Sequence, residues 1–415
     1  MEYRKIYIEN FGKIRSAEIE LAPMLLFVGD NNSGKTLTME LIYGVVNLLC
    51  SWKSNVTSVK RTMIDDITYY GFGDIWFSDL EKEINNYFKV NKVEFVINCF
   101  SKIIPLESIM IRFEDTKDYS YIYSISDTIS LEKKYPDEHR ELLMQDESIP
   151  NAGIDDYLVQ NILKDILSID LHERQLFVPA SRAGLQMLYR YYFALPKAST
   201  EFPLAIYEFL QFLQTYSSKS ILLDEENEIV QFVEQNILGG TVAFENNEFV
   251  YKDGANVMPI NYASSMIHEL SSITNVYKSS EAIGMIYYDE VENSVNPIKQ
   301  GDVARALIRM CNNGKKVIAS THSDTMASKI NNLMLLSKMK NIEKKNDKLE
   351  KLNLEVKDML DNDKKIIVYE FKKAENGKVR VNALDFITYP KIGYSFERFN
   401  ENIDNLYEEA SCITE

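Results

Sequence analysis

The sequence predicts an α/β fold: a mainly parallel sheet flanked by helices, with chemistry gathered at one rim. Three observations predict it. Gly29-Asp30-Asn31-Asn32-Ser33-Gly34-Lys35-Thr36 fits the phosphate-loop pattern G-x-x-x-x-G-K-[ST] at every fixed position. Ile283 to Tyr288 is an apolar run that ends in the adjacent acids Asp289 and Glu290. A strand, helix, strand order from Met285 to Ser320 demands a right-handed crossover, and hence parallel strands.

The loop has the right surroundings. Leu25-Leu26-Phe27-Val28 reads as a buried strand, and Thr36 to Leu49 spaces its apolar residues as a helix does, with no proline inside. Gly29 and Gly34 let the backbone fold around phosphate oxygens where a Cβ would clash. The N–H groups of Asn31, Asn32, Ser33 and Gly34, with the positive end of the following helix, then face an anion. Lys35 is expected to bridge the β- and γ-phosphates, and the Thr36 hydroxyl to ligate Mg²⁺. ATP and Mg²⁺ are the expected ligands.

The acids complete the pattern. The Ile283–Tyr288 strand is expected beside the loop's own strand, with Asp289 holding Mg²⁺ through water. Glu290 then lies at the carboxyl edge of the sheet, where it orients and deprotonates an attacking water. Lys315 to Ser320 is one more strand, and His322 just past its end reaches the same edge as a γ-phosphate contact. Arg182 follows the short strand Gln175 to Val178 and Pro179, where an arginine reaches a phosphate, a subunit contact or a structural salt bridge.

Elsewhere the chain gives elements rather than chemistry. Tyr3 to Ile8 and Ser16 to Leu21 read as strands around a turn at Asn10–Lys13, and Lys13 and Arg15 are either nucleotide-facing or, the commoner case, solvated surface charge. Lys92 to Asn98, Ser108 to Phe113 and Tyr119 to Ile125 look like strands, and Tyr119, Tyr121 and Tyr123 at period two form either a partner surface or, more commonly, a packed strand face. Glu132 to Asp170 is polar, acidic and helix-prone. Pro203 to Gln235 is helical, and Thr241 to Tyr251 is a hairpin turning at Asn246-Asn247. A helix begins near Ile267, with a preceding serine as a natural N-cap. Ser337 to Asp361 reads as a Lys-rich helix, Ile366 to Phe371 as a strand, and Asn400 to Ser411 as an acidic helix.

Composition sets limits. The 415 residues are 45% hydrophobic and 26% charged, ordinary for a globular protein. Cys50, Cys99, Cys311 and Cys412 form no C-x-x-C pair, which argues against a zinc site or disulfide framework and fits the reducing cytoplasm. The N-terminus leads into a strand-like segment without a signal-peptide stretch, and no apolar run is long enough to span a membrane. The formal net charge of −16 repels nucleic acid at long range, leaving only a local basic groove for direct binding.

Together these residues resemble the ABC-type ATPases of the SMC, RecF and OLD group. The resemblance runs through Asn10 to Ile14, the Walker A loop Gly29 to Thr36, Walker B at Met285 to Glu290, the stretch Asp289 to Pro297, and the switch histidine in Thr321-His322-Ser323. Phe177 to Leu185 is similar to a segment of bacterial, defence-associated members, and Ala263-Ser264-Ser265-Met266 occupies the signature position. The resemblance implies a P-loop core of ABC type made of 1–50, 171–190 and 238–335, with an antiparallel β piece. A β extension and helical insertion over 51–170, a helical insertion over 191–237, and a C-terminal extension over 336–415 would be added to it.

The resemblance also implies a head-to-tail homodimer or higher homo-oligomer. In it Ser264 or Ser265 of one subunit caps the γ-phosphate held by Walker A of the other, although Met266 stands where a glycine is usual. No Toprim cluster is present, and the four histidines exclude an HNH nuclease. The chain therefore looks like a stand-alone ATPase subunit, similar to those of PARIS- and Septu-type antiphage systems. There a phage-encoded trigger is sensed and a separate Toprim or HNH effector protein supplies the toxic chemistry. Two rivals stay open: a RecF- or SMC-like repair ATPase acting on DNA, and a nucleotide-locked scaffold with little turnover.

Overall fold

The computed structural model of the chain describes residues 4–53, 61–65, 68–113, 120–125, 128–146, 154–168, 173–194, 202–374, 377–387, 393–396 and 408. The chain divides into two compact units. One holds Met1–Leu21, Glu40–Gln175 and Glu201–Ala205, and the other Ala22–Met39, Leu176–Thr200 and Ile206–Glu415. The residues expected as the core, 1–50, 171–190 and 238–335, are drawn from both units, and the chain after 335 falls in the unit that holds the phosphate loop.

The first unit is antiparallel. Lys5–Phe11 pairs with Ile14–Glu20 across the turn at Gly12-Lys13, and on its other side with Ser108–Arg112. A separate five-stranded sheet runs Arg61–Asp65, Thr68–Trp76, Ser120–Ile125, Ile129–Lys134, Arg140–Asp146. Tyr121 and Tyr123 are buried on it, so these tyrosines pack rather than face a partner, while Tyr119 lies outside the described residues.

Two expectations fail here. Lys92 to Asn98 is no strand but part of the helix Phe77–Phe100, whose buried residues Phe88, Phe95, Val96, Cys99 and Phe100 recur at helical spacing. The β-branched run Val93, Val96, Ile97 imitated a strand, and packing overrode that propensity. Gly44 of helix Lys35–Cys50 faces this helix closely: a Cβ there would sit 2.3 Å from the Cys99 sulfur, so any larger residue would have to displace that side chain. The stretch from Glu132 to Asp170 holds a strand, Arg140–Asp146, before its single described helix, Ile154–Leu167.

The second unit carries the parallel sheet. Its strands lie in the order Arg174–Val178 (which enters from the first unit), Ile283–Tyr288, Lys316–Thr321, Met24–Gly29, Ile366–Lys373 and Val379–Ala383. The three pairs among Ile283–Tyr288, Lys316–Thr321, Met24–Gly29 and Ile366–Lys373 are parallel, and Ile366–Lys373 pairs with Val379–Ala383 antiparallel. Met24, Leu25, Leu26 and Phe27 are wholly buried, as a strand covered on both faces must be, which is why it reads as one apolar run. The helix Pro297–Asn312 connects Ile283–Tyr288 to Lys316–Thr321, giving the expected strand, helix, strand unit. This is an α/β fold of the P-loop type, mixed but mostly parallel.

Strand order departs from expectation twice. Ile283–Tyr288 is not beside the loop strand: Lys316–Thr321 lies between them. The expected C-terminal extension also supplies a central strand, since Ile366–Lys373 pairs in parallel with Met24–Gly29. From Ser337 to Asp361 the Lys-rich helix shortens to Ile342–Lys351, followed by a 3₁₀ turn at Val356–Asp358. The expected helix over Asn400 to Ser411 falls outside the described residues, apart from Glu408.

The remaining helices match the pattern. Leu204–Gln214 and Asp224–Val233 are followed by a π turn, Glu234–Leu238, and Gly239 takes φ +68° to end it. The hairpin Thr241–Glu245 to Glu248–Asp253 turns on Asn246 and Asn247 at φ 51° and 62°, the two left-handed residues a tight hairpin needs. Among the described residues no helix is long and apolar enough to cross a membrane.

Candidate functional site

All the chemistry-bearing residues of the loop, Walker B and histidine stretches belong to the second unit. The loop leaves its strand at Gly29, whose φ is +137° and whose Cβ would meet the Phe371 carbonyl oxygen at 2.6 Å. Asn32 and Gly34 also adopt positive φ, at 60° and 94°, curling the backbone before helix Lys35–Cys50 begins. Ser33 is buried and, among the described residues, its hydroxyl has no partner. A buried hydroxyl without a partner at a helix start fits a site that receives an anion.

Lys35 folds back over the loop. Its ammonium donates to the Gly29 and Asp30 carbonyls, both at 2.9 Å, and lies 3.4 Å from His322 Nδ1. Burial lowers its pKa to about 8, although Asp289, Glu290 and Glu292 pull it back up. An ammonium only donates, so His322 Nδ1 is the acceptor. The ring proton then sits on Nε2, 3.3 Å from Glu290 Oε1. Burial and the Lys35 charge hold the imidazole below its ordinary pKa, which favours this neutral form.

Asp289 faces Thr36 across the intervening strand. Thr36 Oγ1 lies 2.8 and 3.0 Å from its two oxygens, and Ser320 Oγ donates to Oδ1 at 2.7 Å. The small Ser320 at the end of the middle strand lets the two meet although their strands are not neighbours. Burial raises the Asp289 pKa, and the Ser320 and Thr36 hydroxyls oppose that rise. A hydroxyl beside a buried carboxylate is a donor set that suits a hard cation such as Mg²⁺.

Glu290 sits in the left-handed region at φ 47°, a costly conformation for a residue with a side chain. Its N–H donates to Ser320 Oγ at 2.8 Å, and its carbonyl accepts from Arg182. The expected phosphate contact of Arg182 is therefore corrected. Arg182 is wholly buried, and its guanidinium goes to the carbonyls of Pro179, Glu269, Asp289, Glu290 and Val291 at 3.0–3.3 Å, with Glu269 Oε2 2.8 Å from Nε. A group spent on so many acceptors has no donor left for a nucleotide, and instead it fixes the strained turn.

Two residues escape the motif reading. Ser320 bridges Asp289 and Glu290, as above. Glu292 Oε1 accepts the backbone N–H groups of His322 and Ser323, at 2.5 and 3.1 Å. It thereby ties the turn after Walker B to the histidine loop. The third acid of Asp289-Glu290-Val291-Glu292 was the available signal, but only coordinates show what it holds.

Ser264 and Ser265 are exposed where helix Ser265–Lys278 begins. Ser264 is the N-cap, its hydroxyl accepting from the Ile267 N–H at 3.5 Å, and the first turn holds no acid to oppose an anion. Lys13 and Arg15 are exposed residues of the first unit.

Comparison with known proteins agrees with the loop. Residues 1–181 match the AAA ATPase domain family. That stretch contains the whole phosphate loop and stops short of Asp289, Glu290 and His322. No curated protein matches the chain. Among solved structures, the SMC head domain from Thermotoga maritima aligns at 11% identity and TM-score 0.37, over 93% of this chain and all of the other. An SMC head bound to the C-terminal winged-helix domain of ScpA aligns at 14% identity and TM-score 0.39, over 94% and 99%. An SMC head with an extended coiled coil, bound to the C-terminal domain of ScpA from Pyrococcus furiosus, aligns at 13% and 0.37, over 98% and 100%.

Proposed function

We propose that the chain is an ABC-type ATPase subunit that binds and hydrolyses ATP and uses nucleotide-dependent dimerisation to control a separate effector protein in antiphage defence. One observation carries the enzymatic part: Lys35, His322 and Glu290 form a continuous polar chain, and Thr36 meets Asp289 beside it. In this reading Lys35 and the loop N–H groups bind the phosphates. Thr36 and Asp289 would hold Mg²⁺, which supplies Lewis-acid stabilisation of phosphate charge when bound. Glu290 orients the attacking water and takes its proton. His322 steadies Glu290 through Nε2–H and faces the same spot.

The dimer and the defence role rest on the resemblance and the exposed serine-led helix end, with Ser264 and Ser265 of one subunit donating to nucleotide on the other. The effector would be a Toprim or HNH nuclease protein, and a phage-encoded factor the trigger. Phosphate release by the unsubstituted chain and by Glu290→Gln, measured beside calorimetric ATP binding, tests the reading. Turnover should fall at least about 100-fold in the variant while affinity holds. Equal rates would overturn the enzyme reading in favour of a scaffold. Light scattering of Glu290→Gln in Mg-ATP should show a mass at least double that of the nucleotide-free chain, and Ser264→Ala with Ser265→Ala should reverse the gain. A nuclease gene beside this one supports effector control, whereas recombination genes would favour DNA repair.

A further inference from the structure

The strand Ile366–Lys373 outruns the loop strand it pairs with. Phe371 sits level with Gly29, where the loop strand ends, so Lys372 and Lys373 continue alongside the phosphate loop itself. The pairing is tight, as the 2.6 Å between the Phe371 carbonyl and the Gly29 Cβ position requires. Lys373 is exposed, and its ammonium donates to the Asn31 carbonyl at 3.0 Å. Among the described residues no carboxylate pairs with it, in a chain whose net charge is −16. Among the described residues, one neutral carbonyl leaves two of its three N–H donors without an acceptor. Its charge is close enough to Lys35 to oppose protonation there.

We propose that Lys373 is a second cation of the phosphate site, which contacts the phosphate chain of the bound nucleoside triphosphate from the side of the loop opposite the acids. This rests on the reading that the loop binds ATP. Two ammonium groups, one on the loop and one at the end of the neighbouring strand, oppose each other's charge and are both better accommodated once a polyanion lies beside them. Lys373 is a binding residue and takes no part in proton transfer, so its loss weakens affinity.

The test uses the full chain, with calorimetric titration of a non-hydrolysable Mg-ATP analogue at low and moderate salt. Lys373→Ala and Lys373→Gln should each weaken binding about tenfold, the worth of one charge-assisted hydrogen bond. Both should show a shallower salt dependence, and Lys373→Arg should bind as the unsubstituted chain does. The exposed position predicts unchanged thermal melting, the control for folding. If Lys373→Gln binds normally, the side chain only latches the loop to Asn31, and the proposal is overturned. It is equally overturned if Lys373→Ala binds normally. Lys35→Ala separates the two readings: normal binding by that variant undoes the phosphate-loop assignment itself, whatever Lys373 does. An unsubstituted chain that binds no analogue overturns both.

Discussion

Arg182 spends its guanidinium on five backbone carbonyls and Glu269, and three of those carbonyls belong to Asp289, Glu290 and Val291. The left-handed Glu290 costs on the order of 1–3 kcal/mol, and this clamp offsets the cost by fixing the peptide on either side. Arg182→Ala would leave a buried carboxylate and several carbonyls unpaired, at a cost of about 3–5 kcal/mol. Its urea midpoint should fall accordingly. Arg182→Lys keeps the charge, but a single ammonium cannot span the fork, so phosphate release should fall more than ATP affinity does. Retained turnover in the lysine variant would show that the turn holds itself. Legibility at this scale was split by chemistry. Lys35, Thr36, Asp289, Glu290 and His322 could be read because each stands at a fixed offset from a local signal. Arg182 could be found but not assigned, since an arginine after a strand looks the same whether its acceptors are phosphate oxygens or buried carbonyls.

At the scale of elements, Glu292 joins the turn after Walker B to the start of helix Asp324–Ser337, whose N-cap Ser323 caps through the Met326 N–H. Glu292→Ala frees that loop, and with it His322 and the Glu290 contact. Turnover should drop about tenfold with ATP affinity preserved, and Glu292→Gln, which keeps one acceptor oxygen, should restore most of it. An unchanged turnover number in the alanine variant would remove Glu292 from the positioning set.

A second junction lies between helix Pro297–Asn312 and the turn Val356–Asp358. The wholly buried Asp358 carboxylate accepts from Arg305 and Arg309 at 2.8 Å each, and both guanidiniums cover the Phe232 ring. Burial pushes the Asp358 pKa up, but the two arginines and the Glu355 N–H prevail and hold it below the usual value. A depressed folded-state pKa contributes stability above about pH 4, the unfolded value, and that stability is lost as pH falls through the lower folded one. Unfolding free energy should therefore decline less steeply below about pH 4 in Asp358→Asn than in the unsubstituted chain. At neutral pH the variant should already be less stable. Parallel slopes would mean that the arginines do not depend on the charge. Elements with a start and stop of their own, such as Asn246-Asn247 and the Ser264 cap, were legible, whereas Lys92 to Asn98 was not. Its β-branched residues prefer a strand locally, and only packing against the Gly44 face makes it helical.

For the whole molecule, strand order was the hidden quantity. Nothing local distinguishes Ile366 to Phe371 from any other short apolar strand, and more than 300 residues separate it from the loop strand it flanks. Read in sequence it belongs to a tail, yet in the fold it hydrogen-bonds Met24–Gly29 over six paired positions. Phe27 packs edge-on against Tyr369 at 5.8 Å between ring centroids and at a tilt against Phe371 at 5.1 Å. Val368, Tyr369 and Phe371 are all buried, and each contributes about 1.5–3 kcal/mol on burial. Their sum is comparable to the net stability of a typical domain. A chain ending at residue 335 therefore should not behave as an ATPase core stripped of an accessory. It should lose cooperative urea unfolding and bind no ATP analogue, because the loop strand would be left with an open edge and an uncovered Phe27. A chain ending at residue 396 keeps both strands of the pair and should retain both properties. If the shorter chain unfolds cooperatively and still binds nucleotide, the tail reading of the sequence was right and the central place of Ile366–Lys373 carries no energy.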